Sequence, residues 1–216
     1  MIEKMDEFFK NRVDGYDEHM MTNIEGAGEF YAYTASLLPN AADCRVLDLG
    51  CGTGLELGEY FALNPSARVT GIDLSEAMLK ALSSKFTDRN IELICASYFD
   101  APLGTGVFDA AVSVESLHHF TKEQKLGLYK KLREALKPQG YFVLTDYFAA
   151  SDELEERLFA ELAAIKKAEV IADGEFYHYD TPLTVGHETE ALKQAGFTEV
   201  GIKKSWGATS TIVARV

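Results

Sequence analysis

Residues 46–54 read VLDLGCGTG. Val46, Leu47 and Leu49 surround one acid, Asp48, and three glycines then alternate with Cys51 and Thr53. An apolar run of strand length, a glycine-rich turn and the helical pattern LELGEYFALN (55–64) together predict strand, turn and helix. Glycine at 50, 52 and 54 opens backbone conformations that other residues avoid, and lets a ligand approach without meeting a Cβ. A helix starting at Leu55 would add free N–H groups and a partial positive charge. The spacing is one residue short of the dinucleotide pattern G-x-G-x-x-G, and Glu56 would sit beside a pyrophosphate, so phosphate binding fits poorly.

Working outward, short apolar runs alternate with helical patterns. RVTGIDLS (68–75), IELICAS (91–97), FDAAVSVES (108–116) and YFVLTDYF (141–148) read as strands. SEAMLKALSSKF (75–86), capped by Ser75, reads as a helix, and so does TKEQKLGLYKKLREALKPQG (121–140), stopped by Pro138 and Gly140. After a helix at 187–196, FTEVGIKKS and TSTIVARV are separated only by WGA and must pair antiparallel. The pattern predicts an α/β fold: Rossmann-like and doubly wound, a mostly parallel seven-stranded sheet with an antiparallel last strand and a helical cap. A single domain over 1–216 is expected. Its cap would come from residues 1–40 and an inserted segment at 151–184, folded over the carboxyl ends of the strands.

Composition narrows the function. A net charge of −13 argues against nucleic acid, whose phosphates require excess Lys and Arg. No 18-residue apolar run spans a membrane, and the charged start MIEKMDEFFKNR lacks the apolar block of an export signal, so a cytoplasmic protein is expected. Three scattered cysteines without a C-x-x-C pair suit reduced thiols, and no metal site is expected.

VLDLGCGTG followed by GIDLS resembles the first two motifs of class I S-adenosylmethionine-dependent methyltransferases. The resemblance continues through ELICASYFDAPLGTGVFDAAVSVESLHHF and LREALKPQGYFVLTDY to the closing hairpin, nearly the whole chain. It implies S-adenosylmethionine as cofactor, a ligand with a sulfonium cation and no phosphate, to which Asp48, Glu56 and an acidic protein are no obstacle. It also implies that Gly50, Gly52 and Gly54 pass under the methionyl and ribose portions, that Asp48 orients the loop or the amino group, and that Asp73 accepts from the ribose hydroxyls. Leu74, Met78 and Val114 would flank the ligand, and Tyr16 would fold over it. Many relatives carry an Asp where Ser97 stands, so adenine would be held here by Ser97, Tyr98 and backbone.

Methyl transfer is an in-line displacement in which the protein aligns the acceptor and excludes water. A base is required only where the acceptor must lose a proton. SVESLHHF (113–120) offers His118 and His119 for that role, with Glu115 and Tyr147 as acceptor contacts and Phe176-Tyr177-His178-Tyr179 as a lid. The expected activity is methyl transfer to a small-molecule acceptor. Two alternatives stand beside it: an enzyme that modifies S-adenosylmethionine itself, as carboxy-S-adenosylmethionine synthases do, with Arg12 as the nearby cation; and a non-catalytic S-adenosylmethionine-binding protein.

Overall fold

The computed structural model describes residues 2–172 and 174–216; Met1 of the expected cap and Asp173 of its inserted segment lie outside the described residues. Seven strands form one sheet: β1 (Arg45–Leu49), β2 (Arg68–Asp73), β3 (Asn90–Cys95), β4 (Phe108–Val114), β5 (Leu136–Tyr147), β6 (Glu199–Trp206) and β7 (Thr209–Arg215). Their order is β3-β2-β1-β4-β5-β7-β6. All neighbours from β3 to β5 pair parallel, whereas β7 runs antiparallel to both β5 and β6. The chain moves outward from β1 to β3 and then returns to place β4 on the other side of β1. That reversal leaves a crevice beyond the carboxyl ends of β1 and β4, where open α/β sheets hold ligands.

The strand alternation builds two cores. Leu47, Leu49, Ala111, Phe142, Leu144 and Ile212 face one cluster, and Val46, Val69, Val112, Val143 and Val213 face the other. The first is covered by α6 (Lys122–Ala135) and α8 (Val185–Gln194), the second by α3 (Ala27–Ser36), α4 (Leu55–Leu63) and α5 (Glu76–Lys85). Both faces being dry explains why these strands read as near-continuous apolar runs.

Two expectations need correction. Residues 27–36 are part of a core layer rather than of the cap: Phe30, Tyr31 and Ala35 are buried, and Thr34 Oγ1 lies 2.5 Å from Thr145 Oγ1 of β5. Helix α6 also stops at Ala135, not near Gly140. Pro138 disfavours helical geometry at Lys137 and offers no N–H, so Leu136–Gly140 is extended and Leu136 pairs with Phe108.

What covers the strand ends is α1 (Met5–Lys10), α2 (Tyr16–Asn23) and a strap from 174 to 184. Met5 N donates to Phe176 O and His178 N to Glu3 O, both at 3.0 Å. Phe8 stacks on His178 with centroids 3.5 Å apart. Between β5 and the strap runs α7 (Asp152–Glu169), N-capped by Ser151, with no fully buried residue.

Candidate functional site

Gly50, Gly52 and Gly54 all have left-handed φ, at +74°, +47° and +76°. A Cβ on Gly50 would lie 2.0 Å from Ser116 Oγ, while one on Gly52 would meet nothing within 4 Å. The loop is therefore packed at one glycine and open at the next. Gly50 N and Cys51 N both donate to Ile72 O, at 2.8 and 3.2 Å. Asp73, at the end of β2, accepts from Gly52 N at 2.9 Å and Ser75 N at 2.8 Å. Burial raises its pKa against those two hydrogen bonds. Each carboxylate oxygen keeps a further lone pair for a ligand hydroxyl.

A small cavity of about 50 Å³ lies along this loop, walled by Tyr16, Gly50, Gly52, Asp73, Leu74, Met78, Tyr98 and Val114. Eight residues expected at the cofactor thus meet in one place. Asp48, Gly54 and Ser97 do not reach that wall. Asp48 is fully buried beneath the loop, Gly54 starts α4 against Leu82 and Phe86, and Ser97 Oγ accepts from Phe99 N at 3.2 Å. The wall also contains Met5, Phe9 and Ser116, which the sequence reading passed over. Met5 and Phe9 stand four residues apart on α1, one helical face, and that spacing was the available signal.

The residues fit an adenosyl sulfonium. The glycine cradle is open where a ligand would approach, and beneath it Asp48 Oδ1, Asp48 Oδ2 and Glu56 Oε1 are buried with no hydrogen-bond partner. Desolvation and the Glu56 charge push Asp48 well up, and burial also raises Glu56. A cationic ligand suits a loop backed by these two acids. Space in the groove is tight, at about 50 Å³, with Met5 and Phe9 of α1 on its wall.

Tyr16 is placed by its neighbour. Thr53 Oγ1 donates to Asp17 at 2.5 Å, and Lys85 bridges Asp17 and Thr53 O, tying the start of α2 to the glycine loop.

Beyond Tyr16 and Phe9 opens a second cavity of about 790 Å³, lined by Phe8, Arg12, Glu115, His118, His119, Tyr147, His178, Asp180 and Thr209 among others. Phe9, Tyr16, Glu115 and His119 border both spaces. All four residues expected on the acceptor side, His118, His119, Glu115 and Tyr147, line the larger one. Asp180 and Thr209 were missed because the strap and the β7 start carry no motif.

The histidines differ. His118 Nδ1 lies 2.6 Å from Asp146 Oδ1, and Asp146 also accepts from Leu117 N and Tyr147 N at 2.9 and 3.0 Å. Burial works against the charged ring, but the Asp146 carboxylate outweighs it and lifts His118 to about 9. His118 is therefore protonated at neutral pH and is no base. His119 is lowered by burial and by the His118 charge, so it is neutral. Its Nδ1 lies 3.2 Å from Asp180 Oδ1 and 3.3 Å from Tyr179 O. Both partners only accept, so Nδ1 carries the proton and Nε2 keeps its lone pair. His118 Nε2, His119 Nδ1 and Asp180 Oδ1 lie within 4.8 Å of one another, the spread of a metal site. Glu115 adopts φ +48° and accepts from Thr209 Oγ1 at 3.0 Å; burial, then the nearby Asp146 charge, raises it to about 7.

Residues 46–140 match a family described as a methyltransferase domain. That match, over somewhat under half of the chain, supports a class I S-adenosylmethionine-dependent methyltransferase. It is 31% identical over 109 residues to a tRNA (carboxymethyluridine(34)-5-O)-methyltransferase of Arabidopsis thaliana, spanning 50% of this chain and 25% of that one. It is 23% identical over 231 residues to the carboxy-S-adenosyl-L-methionine synthase of Nautilia profundicola, covering 99% of this chain and 95% of that one. Among solved structures, the DhpI–SAM–HEP complex superposes with a TM-score of 0.72 at 18% identity, over 97% of this chain and 95% of its own. That likeness extends to the fold. The cofactor of this methyltransferase domain is S-adenosylmethionine. No helix among the described residues is long and apolar enough to cross a membrane.

Proposed function

We propose that this methyltransferase domain transfers a methyl group to a small-molecule acceptor bound in the larger cavity, as a single domain closed by α1, α2 and the strap. The observation that carries this reading is the shared wall: Phe9, Tyr16, Glu115 and His119 face both the glycine-loop groove and a cavity large enough for a metabolite. S-adenosylmethionine supplies an electrophilic methyl on a sulfonium. Gly50 and Gly52 provide the floor of its site, Asp73 accepts from the ribose hydroxyls, and Leu74, Met78 and Tyr98 pack the remainder. Tyr16 separates the two spaces and keeps water out. His119 serves as base through Nε2, while His118, held charged by Asp146, fixes the turn that carries both rings. The net charge of −13 and the enclosed cavity favour a metabolite over nucleic acid.

A second reading, modification of the cofactor itself, is favoured by the near-complete overlap with the Nautilia synthase. It calls for a cation to hold an added carboxylate. Arg12 lines the cavity, yet both of its terminal nitrogens donate to Glu3 at 3.0 Å and its guanidinium lies 3.7 Å over the Phe8 ring.

Titration calorimetry with S-adenosylmethionine tests the cofactor site. Binding is expected in wild type, weakened at least tenfold in Asp73→Ala by loss of charge-assisted bonds of about 1.5–3 kcal/mol each, with the fold intact. Unchanged affinity in that variant would refute the ribose assignment. Accumulation of S-adenosylhomocysteine with methylated acceptor, measured by mass spectrometry on a metabolite extract, separates methyl transfer from passive binding and from carboxylated cofactor.

A further inference from the structure

The larger cavity has a charge pattern that selects among acceptors. Its formal cations are already engaged: Arg12 with Glu3, and His118 with Asp146. Its carboxylates outnumber those cations. Among the described residues no Lys or Arg forms an ion pair with Glu115 or Asp180. Glu115 bonds through one oxygen to the neutral Thr209 hydroxyl, and its second oxygen has no recorded partner. Asp180 is half exposed on the cavity wall and shares the His118 charge with Asp146, its Oδ1 lying 3.6 Å from His118 Nε2. Phe9, Tyr16 and Tyr147 line the same space. Acids in excess of their counterions beside aromatic residues favour an organic cation and repel an anion.

We propose that the acceptor is an amine on an apolar or aromatic body, which enters as the ammonium, is held by Glu115 and Asp180, and gives a proton to His119 Nε2. This rests on the methyl-transfer reading above and specifies its substrate class. An ammonium has no lone pair, so it cannot attack until a base has taken a proton, and His119 is the neutral imidazole at the junction of the two spaces. The freed lone pair then forms the C–N bond as the C–S bond breaks, its electron pair returning to sulfur. The products are S-adenosylhomocysteine and the methylated ammonium R–NH2–CH3⁺, and the His119 proton passes to solvent. Glu115 faces one positive charge in both substrate and product, the amine being neutral only between proton loss and methyl transfer.

The test uses three probes of one shape, benzylamine, benzyl alcohol and benzoate, titrated calorimetrically into the full chain without cofactor. Benzylamine is expected to bind at least tenfold tighter than benzoate, with benzyl alcohol between them. Glu115→Gln and Asp180→Asn should each reduce benzylamine affinity about tenfold and leave benzyl alcohol within twofold, the latter also showing that the cavity is intact. Benzoate binding as tightly as benzylamine, no benzylamine binding, or a preference that survives in both variants overturns the proposal. Because no cofactor is present, these outcomes are independent of S-adenosylmethionine binding. If the probes behave as expected while the cofactor does not bind, the methyl-transfer reading has failed instead.

Discussion

The two sides of the cleft are built differently. On the sheet side, positions are set by backbone: Gly50 and Cys51 share Ile72 O, Gly52 leans on Asp73, and Asp73 also caps the next turn through Ser75 N. On the cap side, α1 and the strap meet through a single bridge, Lys4 to Tyr177, and through side chains such as Phe8 on His178 and Lys4 on Glu175, which are 171 positions apart. The Lys4–Glu175 pair is exposed, and solvent screens such pairs so that they contribute little. A rigid cradle faced by a lightly attached cover is what an enzyme needs when one ligand is constant and the other must enter and leave.

That contrast can be broken at its rigid end first. In Gly50→Ala the new Cβ would fall 2.0 Å from Ser116 Oγ at a φ that L residues avoid. S-adenosylmethionine affinity is expected to drop by about 100-fold, near 2.7 kcal/mol, in calorimetry. Affinity within tenfold of wild type would mean that the loop yields, and the contrast would lose its fixed half.

The boundary between the two sides is the His118–Asp146 pair, and it makes stability depend on pH. His118 has a folded pKa of about 9 against 6.5 in the open chain, so its contribution is fully present below pH 6.5 and lost as pH rises through 9. Urea unfolding is expected to show a loss approaching about 3 kcal/mol between pH 6.5 and 9.5. Asp146→Asn should flatten that slope. A wild-type curve already flat would show that the ring is neutral in the folded protein.

The smallest effect belongs to the cap. Phe8→Ala removes the stack on His178, worth about 0.5–1.5 kcal/mol. It should weaken benzylamine binding threefold to tenfold and leave S-adenosylmethionine within twofold. Equal losses for both ligands would make the cap part of the cradle.

The same contrast governs what could be read from sequence. VLDLGCGTG and GIDLS located the crevice because local rules decide it: glycine at positive φ, and an acid at a strand end. Tyr16, Leu74, Met78 and Val114 followed from the family resemblance and do line the groove. Asp180 and Thr209 did not, because nothing near them in the chain records that the strap and β7 converge on the larger cavity. Asp48 and Ser97 lie off the groove wall. Their place in a motif was legible, but their burial under the loop and toward Phe99 depends on how neighbouring turns pack. His118 was misjudged as a base because its partner Asp146 lies 28 residues away on β5.

Glu115 carries a longer consequence. A carboxylate side chain on a left-handed backbone costs about 1–3 kcal/mol that glycine would recover. Drift toward glycine at this position would make the protein sturdier while stripping the chamber of a negative charge. Thermal robustness and acceptor affinity therefore pull apart at one codon, and a library screened for heat tolerance alone would be drawn toward a protein that holds its acceptor more weakly.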